Sequence, residues 1–303
     1  MAAALDVAAL ASTPAEVDDD DAPLWERSFA FGSLPRLVIQ EHFGAGLGGT
    51  VWAGGVKLAR HLVDDGGAGR LVSDLRRDRD SGQPERLHAL ELGAGCSGIP
   101  GLVLAQLGLF HSIFITDGDE DAVERLEENL ADNVAALQQQ PGESSTLVKA
   151  GMLRWGHDTD MAAAAAAVAA DGGLYDVVVA ADVAYHMRHT DPGADAVVAA
   201  LCGTIRRLMR PAGVCVLSQM VRQLLHALAV STRLTPSAFW QARPLHEECV
   251  LYAALLAEYH ISRLDEPEPD DVAGKDGGMD IPVPHGLGVF LLRRRDTGVS
   301  TDA

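Results

Sequence analysis

The sequence predicts an α/β protein, a parallel sheet with helices on both faces preceded by a β-hairpin. Three observations predict it. Short apolar strands alternate with helical stretches over roughly 130 residues from Leu87 to Ser218, the rhythm of a parallel sheet with crossover helices. A glycine turn follows the first of these strands and opens a helix. Tyr175 to Ala181 reads Tyr-Asp-Val-Val-Val-Ala-Ala, an unbroken apolar run expected of a strand covered on both faces.

Each element has its own justification. Residues 1–24 are alanine-rich and then acidic without an amphipathic period, and with residues 296–303 they read as disordered tails. Between them lies one domain, 25–295, whose first part, 25–50, carries the hairpin. Ser28 to Gln40 places Phe29, Phe31, Leu37 and Ile39 on one side of a Gly-Ser break. Gly44 to Thr50 is a glycine-rich loop, Val51 to Leu62 a short helix, and the polar, charged stretch 64–85 a connector. Leu87 to Leu92 is a strand. The helix Ile99 to Leu107 has Pro100 in its first turn and Gly108 past its end.

Ile113 to Thr116 is the next strand, closed by Asp117. Glu120 to Leu137 is a helix, with Val123, Leu126, Leu130, Val134 and Leu137 at helical spacing and two acidic residues complementing the dipole of its first turn. Thr146 to Lys149 is a weakly signalled strand. The alanine tract 161–170 reads either as an exposed helix or as a floppy insertion. After Tyr175 to Ala181 come a helix (Ala194 to Met209), a Pro-Ala-Gly turn at Pro211, and a strand (Val214 to Ser218). The chain then gives a helix (Glu247 to Glu258), a strand (Tyr259 to Leu264), an acidic Pro/Gly loop (265–280) and a last strand (Gly288 to Leu292).

Composition excludes several function classes. No apolar window approaches the length of a membrane span. The first basic residue is Arg27, which leaves no n-region for a signal peptide and no Arg-rich transit peptide. The four cysteines stand singly, without metal-ligand spacing, so no metal site and no disulfide framework is expected, and a cytoplasmic protein, with the nucleus open, fits. At a net charge of −19 the chain would repel a phosphate backbone, and no nucleic-acid partner is expected. Arg70, Arg76, Arg77, Arg79 and Arg86 form the one dense basic stretch. With only three lysines and an alanine excess, GC-rich coding explains it.

The chemistry centres on Leu90-Glu91-Leu92-Gly93-Ala94-Gly95-Cys96-Ser97-Gly98. Gly93, Gly95 and Gly98 satisfy G-x-G-x-x-G between a strand and a helix, and Asp117 ends the next strand about twenty residues on. That is a nucleotide-binding arrangement, with backbone close to the ligand and a carboxylate for ribose hydroxyls. Glu91 decides which nucleotide. A carboxylate about 5 Å from a phosphate charge costs about 3 kcal/mol at an effective dielectric of about 20. The same carboxylate favours a ligand bearing an ammonium and a sulfonium, so the charge logic selects S-adenosyl-L-methionine over NAD.

These residues resemble the seven-β-strand (class I) methyltransferases of family 16, the lysine methyltransferase-like group. The resemblance runs from about Phe29 to Leu292. It is carried by Gly48-Gly49-Thr50-Val51-Trp52, the turn Glu91 to Gly98, Thr116 to Glu120, Leu153-Arg154-Trp155-Gly156, and Asp176 through Tyr185. It implies a Rossmann-like, mostly parallel seven-stranded sheet with an N-terminal hairpin extension. It also implies that Glu91, Gly93 and Gly95 contact the methionine part of the cofactor, Asp117 the ribose and Trp155 the adenine. Trp52 and Ala181 complete the cofactor pocket, and Asp182 and Tyr185 are the catalytic pair at its mouth.

Each of these residues also has a plainer reading. The tryptophans would serve as core residues, and Asp182 as a helix N-cap with Tyr185 packed over it. His186 and His189 read as solvent-facing. The function expected is a monomeric protein-lysine N-methyltransferase whose partner is a protein with an accessible lysine. Alternatives are a small-molecule methyltransferase, or a non-catalytic module that keeps the fold to hold a partner. Asp182 is expected to serve the acceptor rather than the fold.

Overall fold

The computed structural model describes residues 24–43, 46–63, 66–77, 86–138, 146–183, 194–220, 259–264 and 287–294. The hairpin strands β1 (Leu24–Phe29) and β2 (Leu37–His42) come first, followed by α1 (Ala53–Val63) and α2 (Gly67–Arg77). Next come β3 (His88–Leu92), α3 (Ile99–Leu107), β4 (Ser112–Asp117), α4 (Glu120–Gln138), β5 (Leu147–Met152) and α5 (Asp158–Ala166). The chain continues with β6 (Tyr175–Ala181), α6 (Ala194–Leu208), β7 (Met209–Met220), β8 (Tyr259–Arg263) and β9 (Leu287–Arg294).

Strands β3 to β9 form one seven-stranded sheet in the order β5-β4-β3-β6-β7-β9-β8. The first five pair in parallel, and β9 runs antiparallel to both β7 and β8. The sheet is therefore Rossmann-like and mostly parallel, with the hairpin as a separate two-stranded extension. Strand periodicity divides the core. Ala89, Val177, Val179, Val214 and Val216 face α1 and α3, whereas Leu90, Leu92, Val178, Ala180 and Leu217 face α5 and α6. The chain moves outward from β3 through β4 to β5 and then returns to β6 on the other side of β3. That reversal opens a crevice at the carboxyl ends of the central strands, where ligands bind in open α/β sheets.

The hairpin is held by side chains acting as a strand. Asn129 and Asn133 lie one turn apart on α4, which sets both on one helix face. The backbone N–H of Gln40 donates to Asn129 Oδ1 at 2.8 Å, and that of Val38 to Asn133 Oδ1 at 3.0 Å. The Asn amides donate back to the Gln40 carbonyl at 2.9 Å and the Val38 carbonyl at 2.8 Å. The free edge of β2 is thereby paired, while Leu37 and Ile39 are fully buried.

Several sequence expectations change. Residues 64–85 are not a plain connector, because Ala68, Leu71, Val72 and Leu75 form a buried stripe on α2 that the surrounding charges obscured. The alanine tract is helical over 161–166 with most of those alanines exposed, as one of the two expectations had it, and it is not an insertion. It continues α5, the crossover from β5 to β6, and buries Met161, Ala164 and Val168. Strand β5 extends to Met152, because parallel pairing with β4 carries the weak local signal three residues further. Pro211 to Gly213 lies inside β7 rather than in a turn before it. Leu24, expected in the tail, already belongs to β1. The remaining tail residues, the helix expected at 247–258 and the acidic loop 265–280 lie outside the described residues. Among the described residues no helix is long and apolar enough to cross a membrane.

The asparagine clamp gives a first expectation. Asn129 is 1% exposed, and its Nδ2 also donates to the Cys96 carbonyl at 2.8 Å. Asn129→Ala leaves buried backbone groups without partners and should destabilise the protein by about 2–3 kcal/mol, read as a lower urea midpoint. An unchanged midpoint would show that the hairpin stands without α4.

Candidate active site

A cavity of about 540 Å³ opens at the carboxyl ends of β3, β4 and β6, a size suited to a cofactor or drug-sized ligand. Every sequence-predicted cofactor residue lines it: Trp52, Glu91, Gly93, Gly95, Asp117, Trp155 and Ala181, with Asp182 beside them. Tyr185, His186 and His189 lie outside the described residues.

The glycine turn supplies the floor. Gly93, Gly95 and Gly98 take φ values of 65°, 58° and 52°, the left-handed region that side chains disfavour. Space forbids side chains as well. A Cβ on Gly93 would stand 2.8 Å from Val183 Cγ1 and 3.3 Å from the Trp155 ring, and one on Gly95 would stand 2.9 Å from the Gly48 carbonyl. That carbonyl accepts the Cys96 N–H at 2.7 Å, which joins the turn to the 46–52 loop.

Charge in the cavity is one-sided. Among the described residues four carboxyl groups line it, those of Glu91, Asp117, Asp119 and Asp182, against one guanidinium, that of Arg154. Glu91 is 2% exposed, and its Oε2 accepts the Gly101 N–H of α3 at 2.7 Å. Burial pushes its carboxyl up to about 8, opposed by that hydrogen bond and reinforced by the nearby charge of Asp117. Near neutral pH Glu91 therefore keeps a proton in the ligand-free site. The standing negative charge expected of it from the sequence is therefore not what burial favours. Burial also raises Asp117, whose Oδ2 accepts the Gly95 N–H at 2.7 Å and whose Oδ1 accepts the Asp119 N–H at 3.0 Å.

Trp155 sits in a loop fixed from α5. Asp160, a residue that the sequence reading passed over, accepts from Arg154 N at 3.0 Å, Arg154 Nε at 2.8 Å and Arg154 Nη2 at 3.1 Å. It also meets His157 Nδ1 at 2.8 Å. The Arg154 side chain, as the leading cause, holds the Asp160 carboxyl far below its ordinary range. Thr204 of α6 completes the loop by accepting the Gly156 N–H at 2.9 Å. An acid in the first turn of a helix was the available signal, hidden by the view of this segment as an alanine insertion.

Asp182 is a correction in part. Its φ of 51° makes it the one non-glycine residue with positive φ among the described residues. Its Oδ2 accepts the Gly54 N–H in the first turn of α1 at 2.6 Å, and a Cβ on Gly54 would collide with the carboxylate at 2.4 Å. Asp182 therefore serves the fold as well as the cavity. It caps a helix, but that helix is α1, 128 positions earlier in sequence, and not its own successor. Burial raises its carboxyl, and the Gly54 hydrogen bond opposes the rise. Trp52 is 43% exposed at the cavity mouth, its indole N–H donating to the Leu47 carbonyl at 2.8 Å. It is a wall of the mouth and not a core residue. Leu47, Val197 and Ala200 also line the cavity, and none had a sequence motif to betray it. Among the described residues no group of three or more His, Cys, Asp or Glu side chains could hold a metal ion.

A sequence model described as lysine methyltransferase matches residues 33–225. No curated protein matches the chain in sequence. Among solved structures, the DszA carbon methyltransferase is similar at 18% identity and TM-score 0.43, covering 80% of this chain and 53% of that one. The chain thus spans about half the length of that relative. The precorrin-6y C5,15-methyltransferase of Geobacter metallireducens GS-15 is similar at 14% identity and TM-score 0.39, covering 76% of this chain and 88% of that one.

Glu91 yields a pH expectation. Its folded-state pKa lies above the ordinary 4.5, so the folded chain holds a proton that the unfolded chain releases. Its contribution to stability is fully present below about 4.5 and is lost as pH rises to about 8. In the ligand-free protein, Glu91→Gln should melt progressively above the wild type as pH rises through that window. A constant difference in melting temperature would contradict the burial argument.

Proposed function

The chain belongs to the lysine methyltransferase family, and from that premise we propose that it moves a methyl group from S-adenosyl-L-methionine to the side-chain amine of a lysine in another protein. The observation that carries this reading is the acidic, glycine-floored cavity at the carboxyl ends of the central strands. Its four carboxylates against one guanidinium suit a ligand with cationic groups and disfavour a pyrophosphate. The cradle fits the cofactor: the Gly93 and Gly95 positions leave backbone free for close approach, Asp117 offers a carboxylate to hydroxyls, and Trp155 offers a ring face. When bound, S-adenosyl-L-methionine supplies an electrophilic methyl on a sulfonium.

The protein's own contribution is positioning. A lysine amine, pKa about 10.4 in water, must lose a proton before it attacks. Asp182 orients it and is not assigned as its base. One carboxylate oxygen is committed to Gly54, which leaves the other to hold the amine at the cavity. Tyr185, outside the described residues, is assigned only what the sequence resemblance implies, an aromatic ring and a hydroxyl for the acceptor. Trp52, Val197 and Ala200 give the mouth the apolar sides that a lysine's methylene chain requires. A net charge of −19 favours a protein partner over a nucleic acid.

Two measurements test this reading. Calorimetry should detect binding of S-adenosyl-L-methionine and none of NAD, and Gly93→Arg, placed against Val183 and Trp155, should abolish it. Tight NAD binding would overturn the assignment. Incubation of the protein with labelled methyl donor and whole-cell lysate should mark a protein band at lysine.

Asp182 separates structure from chemistry. Asp182→Ala removes the acceptor of the Gly54 N–H, so it should lower stability by about 1 kcal/mol as well as turnover. Asp182→Asn keeps an acceptor oxygen, so it should fold near normally and bind the cofactor while turnover falls at least tenfold. Normal turnover by the Asn variant would remove Asp182 from the chemistry.

A further inference from the structure

The exposed apolar side chains of the described residues are unevenly placed. Trp25 is 52% exposed, Phe43 58%, Trp52 43% and Leu47 39%. All four belong to the hairpin and the loop that follows it. Trp25 and Phe43 meet edge to face, ring centroids 6.0 Å apart and planes at 81°, which gives a preorganised aromatic surface rather than two independent side chains. Clustered exposed apolar surface of this kind marks interaction sites in soluble proteins.

The ledge is linked to the cavity lining through Glu41. Trp25 stands opposite Glu41 in the hairpin register, on the face that buries Ile39 and Leu37 further along. Glu41, fully buried and paired with Arg27, accepts the Val51 N–H at 2.6 Å. The next residue is Trp52 at the cavity mouth. From the other end, Phe43 precedes by four positions Leu47, which also lines the mouth. One buried carboxylate thus ties the aromatic ledge to the rim of the acidic cavity.

We propose that Trp25 and Phe43, continued by Leu47 and Trp52, form the docking surface for the acceptor: an extended protein segment carrying a lysine flanked by an aromatic or aliphatic residue. The inference rests on the lysine methyltransferase reading above. Charge identifies the occupant. Asp182 and Asp119, the lining acids not given to the cofactor, call for a cationic side chain, while the Trp25–Phe43 pair calls for an apolar one beside it. An aromatic ledge also suits single-stranded nucleic acid, but that requires a basic groove to track the backbone, and this chain carries −19.

The test uses the full chain and a library of immobilised peptides, each with a single lysine and randomised flanking positions. Binding and incorporation of labelled methyl are read separately. The wild type should select aromatic and aliphatic flanks in both readouts. The Trp25→Ala/Phe43→Ala double variant should lose that selection and raise KM for the selected peptides at least tenfold. Its kcat, cofactor affinity and melting temperature should stay unchanged, and Trp25→Phe should restore most of the selection. Methylation of lysine with the same flanking preference in wild type and double variant overturns the ledge and leaves the methyltransferase reading intact. Ledge-dependent binding without methyl transfer supports the ledge and overturns lysine as the acceptor. A dimer in light scattering that the double variant dissociates, with no peptide bound, assigns the ledge to a second copy and overturns the proposal.

Discussion

One backbone approach organises the cavity: the Gly48 carbonyl accepts the Cys96 N–H at 2.7 Å and lies where any side chain on Gly95 would have to be. It brings the loop after the hairpin onto the turn after β3, so that two segments almost fifty residues apart become opposite walls of one site. Only glycine permits both the left-handed φ of the turn and this closeness. Asp117 reinforces the arrangement from β4 by accepting the Gly95 N–H, and Asp182 reinforces it from β6 by capping α1. Without the approach the cavity would have a floor and no roof.

Three of the carboxyl groups that line the cavity, Glu91, Asp117 and Asp182, carry two kinds of work that are usually separate. Each accepts a backbone N–H that shapes the site: Glu91 from Gly101, Asp117 from Gly95, Asp182 from Gly54. Each is also raised by burial, so the ligand-free site is held in a state that disfavours its own negative charge. Glu91 shows this most strongly, its carboxyl pushed up to about 8.

The hairpin is part of the site and not an appendage. Asn129 and Asn133 pair its inner edge to α4, and α4 begins directly after the Asp117-to-Asp119 corner that lines the cavity. Glu41 then transmits the hairpin's position to Val51, one residue before Trp52. The glycine turn and the strand-end acids lie on the sheet, whereas the loop after the hairpin and α6 supply Leu47, Trp52, Val197 and Ala200 to the same cavity.

Local signals in the sequence determined the alternation of β3 to β7 with their helices, the glycine turn, and the strand-end acids Glu91 and Asp117, because strand runs, left-handed glycines and strand-end acids are written within a few residues of one another, whereas Trp155 and Asp182 entered only through the family resemblance. Tertiary structure alone decided the rest. Helix α2 and the crossover α5 emerged only when their small apolar stripes found a sheet to bury against, since local composition there is dominated by charge or by alanine. The partnership of Asp182 with Gly54, the clamp of Asp160 on the Trp155 loop and the asparagine pairing of β2 are contacts whose partners lie elsewhere in the chain or behind an unrecognised helix. A sequence fixes which groups seek hydrogen bonds and burial. Which group answers which is settled only when the backbone brings them within 3 Å.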